Sequence, residues 1–221
     1  MKACIGVMLL LLAGAPASMA QSDPKPASPE GTYEPLTAEG RLQWFAWNTF
    51  GPPSLAGGVI SAGWGTLLNT PHEYGTYWAG FGKRYGMRLT GISIGNATEA
   101  GLGAIWGEDP RYVPAGEAPF KNRLGHVVKM TFLATGRDGR TMPAYARYVA
   151  IPGNNFLSNA WRADSDSTIA RAGIRTLLGF AGRMAGNAFE EFWPDVRRRI
   201  FKRQSEATNR NAGEEATDSQ R

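Results

Sequence analysis

From Thr37 onward, apolar and small side chains recur at three- and four-residue intervals, and this spacing predicts a succession of helices. Thr37 is placed to cap the first, with Glu39 in its opening turn and Leu42, Phe45, Ala46 and Thr49 at helical spacing, until Gly51-Pro52-Pro53 ends it. The uncharged stretch from Ser54 to Asn69 follows. Each of its interior glycines lowers helix propensity by about 1 kcal/mol relative to alanine, so a helix there needs tight packing, and a strand competes.

Between Glu73 and Trp106 small residues pair four positions apart: Gly75 with Ala79, Gly82 with Gly86, Gly91 with Gly95, Ala97 with Gly101, and Gly103 with Gly107. On a helix such pairs share a face and let a neighbouring backbone approach closely. The stretch therefore predicts helix packing through Gly82, Gly86, Gly91, Gly95 and Gly101. A break near Gly86 to Thr90 is expected, since an unbroken run would exceed the usual length of globular helices.

Phe120 to Ala134 carries a helical face of Leu124, Val127, Val128, Phe132 and Leu133. The turn at Gly136-Arg137-Asp138-Gly139-Arg140 joins it to the next run, and could equally join two strands. Gly153-Asn154-Asn155 is expected to interrupt that run, which ends near Trp161. Asp166 or Ser167 is placed to cap a last helix whose apolar face is Ile169, Ala172, Ile174, Leu177, Leu178, Phe180, Ala181 and Met184, with a kink or restart at Trp193-Pro194-Asp195. The fold class expected is mostly α: a multi-helix bundle with close Gly/Ala-mediated contacts and flexible tails at both ends.

Composition adds compartment and excludes several chemistries. Glycine makes up 28 of 221 residues, about 13%, yet lies without a three-residue period among Trp, Tyr, Phe and Leu, which excludes collagen and low complexity. Residues 1–20 read as a secretory signal peptide, cleaved after Ser18-Met19-Ala20; residues 21–36 read as a proline-rich linker, 37–203 as a single helical domain, and 204–221 as a disordered polar tail. Cys4, the only cysteine, falls within the signal, so the mature chain has no disulfide and no thiolate chemistry. The formal net charge is +5; residues 37–108 balance to zero, while 109–165 and 166–203 each carry eight basic and four acidic side chains.

Candidate chemistry is sparse. Gly91-Ile92-Ser93-Ile94-Gly95 matches the G-x-S-x-G nucleophile elbow, but no strand precedes it, and its base would have to be His126. His72 and His126 stand far apart and share no helical turn with a second ligand, so neither a metal nor a cofactor is expected. The acidic pairs Glu108-Asp109 and Glu190-Glu191 could serve a glycosidase, or could end a helix and face nearby arginines. Glu99 has small and apolar flanks and, if buried, requires a partner such as Arg88 or a later arginine. No phosphate-binding glycine loop or nucleic-acid-binding module is present.

From Leu42 to His72 no residue is formally charged, and Trp44, Phe45, Trp47, Phe50 and Trp64 lie in this stretch. It is either a buried helical pair or a surface that contacts a membrane or partner, where tryptophan is favoured. The motifs GFGKRYG (80–86), EDPRY (108–112) and EFWPDVRRRIF (191–201) together resemble an uncharacterised family of exported bacterial proteins of about this length. The resemblance implies export and nothing about activity. The expectation is a periplasmic or cell-envelope protein with a structural or binding role, its partner an anionic membrane surface or another envelope protein, with the basic C-terminal half completing the working surface. The alternative is an envelope hydrolase using Ser93 and His126 or the paired carboxylates.

Overall fold

In a computed structural model the backbone is described for residues 33–218 and the side chains through 198. The expected signal segment and residues 21–32 of the linker lie outside this range. One unit spans Thr32–Arg221. Its chain order is α1 (Ala38–Phe50), α2 (Pro52–Leu67), α3 (Trp78–Trp106), β1 (Glu108–Asp109), α4 (Phe120–Phe132), β2 (Leu133–Gly136), β3 (Thr141–Pro143), α5 (Tyr145–Leu157) and α6 (Ile169–Asp218), with short 3-10 turns at His72–Tyr74, Ser158–Ala160 and Asp164–Asp166. The fold is mostly α, as the periodicity predicts.

Local signals account for most boundaries. Thr37 caps α1, its hydroxyl oxygen accepting from the Gly40 N–H at 3.1 Å. Gly51-Pro52-Pro53 both stops α1 and starts α2, because proline at the first helical positions gives up no hydrogen bond. Ser54 to Asn69 is thus mainly helix rather than strand. At the other end of α3, Gly107 sits at φ +79° and donates its N–H to the Gly103 carbonyl, a left-handed stop that favours glycine.

Helix α3 packs against α1, α2 and α5, and α6 packs against α4 and α5. The three strands form an antiparallel sheet in the order β1-β2-β3, with Glu108 opposite Gly136, Asp109 opposite Thr135, and Thr135 opposite Thr141. The turn at 136–140 therefore does join two strands, although these are only the short ends of the runs that suggested them.

Several expectations are corrected. Helix α3 runs unbroken through Gly86 to Thr90, and α5 continues through Pro152 and Gly153-Asn154-Asn155. Helix α6 likewise passes Pro194 without a restart. The small-residue packing is narrower than expected: a Cβ at Gly82, Gly86 or Gly101 would meet nothing within 4 Å. At Gly91 and Gly95 it would meet the Asn154 side chain of α5, at 3.4 and 3.7 Å, so a side chain rather than a backbone fills that approach. Close backbone approaches occur at Gly80, where a Cβ would press on the carbonyl oxygens of Tyr74 and Gly75, and at Gly103, where it would stand 3.1 Å from the Glu108 carbonyl oxygen. Gly80→Ala is accordingly expected to lower stability by about 1–3 kcal/mol, whereas Gly101→Ala, in open space, is expected to raise it by about 0.5–1 kcal/mol. Urea midpoints of the two variants, measured side by side, check both signs.

The largest departure concerns which helix faces point inward. Among the described residues the buried apolar set is Trp44, Val127, Met130 and six alanines, while 29 large apolar side chains are exposed. The apolar face of α6 shows this directly: Ile169, Ile174, Leu177 and Leu178 are exposed, Leu177 to 71%. The buried positions of the same helix are Ala172, Asn187 and Glu191. Along α3 the inward stripe is Gly80, Arg84, Gly91, Glu99 and Gly103, spaced by multiples of about a turn, with Trp78 exposed to 86%. The centre of the molecule is built from small and polar groups, and much of its bulk apolar surface faces outward.

Candidate functional site

A polar centre of this kind holds together only if every charge finds a partner. Glu99 of α3 accepts from Arg147 Nε of α5 at 2.9 Å and lies 3.4 Å from Arg183 of α6. Arg147 also donates Nη1 to the carbonyls of Met130 and Thr131 at 2.8 and 2.9 Å, thereby satisfying groups at the end of α4. Burial pulls its guanidinium down to about 10, against the pull of Glu99 in the other direction, and leaves it charged at neutral pH. One arginine thus ties three helices to one carboxylate. The partner expected for Glu99 is a later arginine, not Arg88, which donates instead to the Ser54 carbonyl at 3.0 Å.

The acidic pairs are absorbed in the same way. Glu108 accepts from the Ala146 N–H at 3.0 and 3.2 Å, satisfying the opening turn of α5, while burial raises its carboxyl above the usual range. Asp109 receives the Arg111 guanidinium at 2.6 Å, the Arg111 N–H at 2.9 Å and the Tyr33 hydroxyl at 2.8 Å. Glu191 accepts from Arg123 Nε at 2.6 Å, the Tyr112 hydroxyl at 2.8 Å and the Ala115 N–H at 3.0 Å. Burial alone would raise the Glu191 carboxyl, but these donors hold it below the usual range. Glu190, next along the helix, is exposed. Adjacent helical positions point about 100° apart, so Glu190 and Glu191 do not face one another.

The G-x-S-x-G match at Ser93 lies on a helix, as its small-residue context predicts. Ser93 lies in mid-helix and donates its hydroxyl to the Leu89 carbonyl at 2.8 Å, with no strand-to-helix turn to expose it. His126 bonds the Val113 carbonyl at 2.9 Å through Nε2. Among the described residues no group of three His, Cys, Asp or Glu side chains is arranged to hold a metal ion.

All three sequence motifs prove to be nodes of this polar framework. Arg84 of GFGKRYG donates to the Thr70, Pro71 and Gly75 carbonyls at 2.9, 2.7 and 2.7 Å and so fastens the loop between α2 and α3. In EDPRY, the Pro110 carbonyl accepts from Arg183 and Tyr112 reaches Glu191. In the third motif Phe192 lies under Arg123, 4.6 Å from ring centre to guanidinium, and Asp195 pairs with the same arginine at 2.5 Å. Six arginines of the second half belong to the same framework: Arg111, Arg123, Arg147, Arg162, Arg175 and Arg183 all lie within 4 Å of a carboxylate.

The aromatic stretch divides. Trp47, Phe50 and Trp64 are exposed, Trp64 to 65%, together with Leu42, Val59, Ile60 and Leu67 on the same two helices and Leu68 just after them. Phe45 is half-buried and meets Phe50 edge to face at 6.2 Å. Trp44 is buried, 5% exposed, beneath the Arg183 guanidinium at 5.7 Å, and is not available to a partner. Sequence reasoning missed Arg41, Arg147 and Arg183; the available signal was an arginine set among alanines or aromatics, as in Tyr145-Ala146-Arg147-Tyr148. Among the described residues no helix is long and apolar enough to cross a membrane. No family model, curated protein or solved structure matches the chain.

Proposed function

We propose that this protein is an exported component of the cell envelope that acts by binding or assembly at a membrane surface, with α1 and α2 as the contacting elements. The observation that carries the reading is the outward display of Leu42, Trp47, Phe50, Val59, Ile60, Trp64 and Leu67 on two adjacent helices, and of Leu68 just after them, without a formal charge between Leu42 and His72. Exposed apolar side chains gathered on neighbouring elements are costly in water and support an interaction site. Helices of 13 and 16 residues are about 20 and 24 Å long, short of the roughly 30 Å of a bilayer core. They suit the interface, where tryptophan rings are favoured, rather than a crossing. The signal-like segment and the family resemblance support export.

Sedimentation with phosphatidylcholine vesicles tests the reading. Wild-type protein is expected to pellet with the lipid and to resist release by salt, because the contact is apolar rather than ionic. At about 1 kcal/mol for each ring transferred, Trp47→Ser, Phe50→Ser and Trp64→Ser combined should weaken partitioning about a hundredfold. A wild-type protein left in the supernatant, or a triple variant that partitions equally, would refute it.

A further inference from the structure

Exposed charge is confined to the ends of the molecule. Among the described residues no Asp, Glu, Lys or Arg is exposed within 42–71, 84–116, 141–163 or 172–189. The charges these segments contain turn inward, as Glu99, Arg147 and Arg183 do, and Arg88 and Arg175 donate to carbonyls. At one end Glu34, Glu39, Arg137, Asp138 and Arg140 are exposed, held near the close of α3 because Arg137 donates to the Ala104 carbonyl and Tyr33 packs against Gly139. At the other end stand Glu73, Lys83, Asp164 and Arg171, joined where Ser165 donates its N–H and hydroxyl to Glu73 at 3.1 and 2.8 Å. The exposed Lys121 and Lys129 lie past the first end, since α4 is matched with Asn187 and Glu191 of α6, beyond the Arg183 that reaches Pro110. Between the ends, α3 rises about 33 Å from Arg84 to Trp106. That height matches the roughly 30 Å of a bilayer's hydrocarbon core. Tyr77 and Trp78 at one margin and Trp106 at the other are exposed, where membrane proteins carry aromatic rings. Helices α1 and α2, each too short alone, follow α3 in succession: Asn96 donates to the Thr49 hydroxyl at 3.0 Å, and a Cβ at Gly58 or Gly65 would touch Arg88 or Arg84.

We infer that the body of the protein is inserted in a lipid bilayer, with hydrocarbon around α1, α2, α3, α5 and α6 and the charged ends in water. The inference rests on the lipid contact proposed for α1 and α2 and extends it from one face to a girdle. Val149, Phe156 and Leu157 of α5 and Ile174, Leu177 and Leu178 of α6 are exposed as well. No helix taken singly is long and apolar enough to cross, because residues such as Arg84, Glu99 and Arg147 lie on the inward sides. Lipid meets only the outward sides, and the ionisable residues of membrane proteins face the bundle interior, paired with one another or with carbonyls. Glu99, Arg147 and Arg183, with the Met130 and Thr131 carbonyls, have that form. A protein partner seated on one face would not account for the absence of exposed charge on the others.

Cys4 is the only native thiol, so the full chain with Cys4→Ser accepts single cysteines that carry a fluorophore at chosen heights. Ile60→Cys, Val149→Cys and Leu178→Cys sample the girdle on three helices, and Asp138→Cys and Asp164→Cys sample its two ends. All five native side chains are exposed, so the substitutions spare the interior. Leu177→Cys, on the same helix, stands in for a girdle variant that fails to fold. The chain is reconstituted with phosphatidylcholine vesicles, with iodide on both sides of the membrane. The three girdle probes are expected to be quenched by lipid carrying a mid-chain nitroxide and to lose severalfold of the iodide quenching seen at the two ends. Lipid quenching at Ile60 alone, with Val149 and Leu178 open to iodide, would overturn the insertion and leave the α1–α2 surface contact standing. All three open to iodide would overturn both readings. Quenching of Asp138 or Asp164 by the mid-chain nitroxide would remove the charged margins of the girdle and overturn the inference as well.

Discussion

Arg147→Ala is expected to destabilise the protein by about 3–5 kcal/mol, the range for breaking a buried ion pair from one side. The substitution leaves Glu99 in the interior with Arg183 at 3.4 Å as its remaining cation, and frees the Met130 and Thr131 carbonyls that Arg147 now satisfies. Against a total stability of about 5–15 kcal/mol for ordinary domains, a loss of this size removes much of the margin. Equilibrium urea unfolding checks it. A companion double variant, Glu99→Met with Arg147→Met, should recover part of the loss, because it removes both charges and returns apolar volume. Full recovery is not expected while the carbonyls of α4 stay unpaired. A cost under about 1 kcal/mol for Arg147→Ala would mean that the network does not carry the interior.

Glu191→Gln should cost about 2 kcal/mol near neutrality, as charge-assisted bonds from Arg123, Tyr112 and Ala115 are weakened together. The pH dependence separates a charge effect from a packing effect. Because the folded-state carboxyl is held below its unfolded value, its stabilisation is fully present above the ordinary carboxylate range. It is lost as pH falls through the lower folded value. Glutamine has no proton to gain, so the stability gap between wild type and E191Q should narrow steadily in that acid window. A gap that stays constant from pH 7 downward would assign the whole effect to shape. Asp195 also pairs with Arg123, which keeps that arginine from being stranded in the variant and favours a folded, measurable protein.

Helix positions, caps and stops were written locally. Thr37 and Pro52 act through their own backbone geometry and the N–H and C=O groups within a turn, so their roles are legible without knowing the neighbours. The apolar surface was legible in part: three of the five aromatic residues expected to meet a partner are exposed, and Trp44 is not, because Arg183 from a distant helix covers it. Its continuation over α5 and α6 was not legible, since Arg147, Arg175 and Arg183 lie in those segments and only their partners on other elements turn them inward.

The sequence by itself determined that the chain forms helices, roughly where they start and stop, and that each carries one apolar and one polar face. Only the tertiary structure decided which face lies inside. A periodicity of 3.6 residues distinguishes the two sides of a helix but says nothing of what each side will touch. The choice rests on distant partners: Glu99 finds Arg147, and Glu191 finds Arg123, from elements far along the chain. With those charges paired at the centre, Ile169, Leu177 and Leu178 are directed outward. Segments that a local pattern would assign to a core become an exterior, because the cost of leaving a charge unpaired in the interior exceeds that of leaving a leucine exposed.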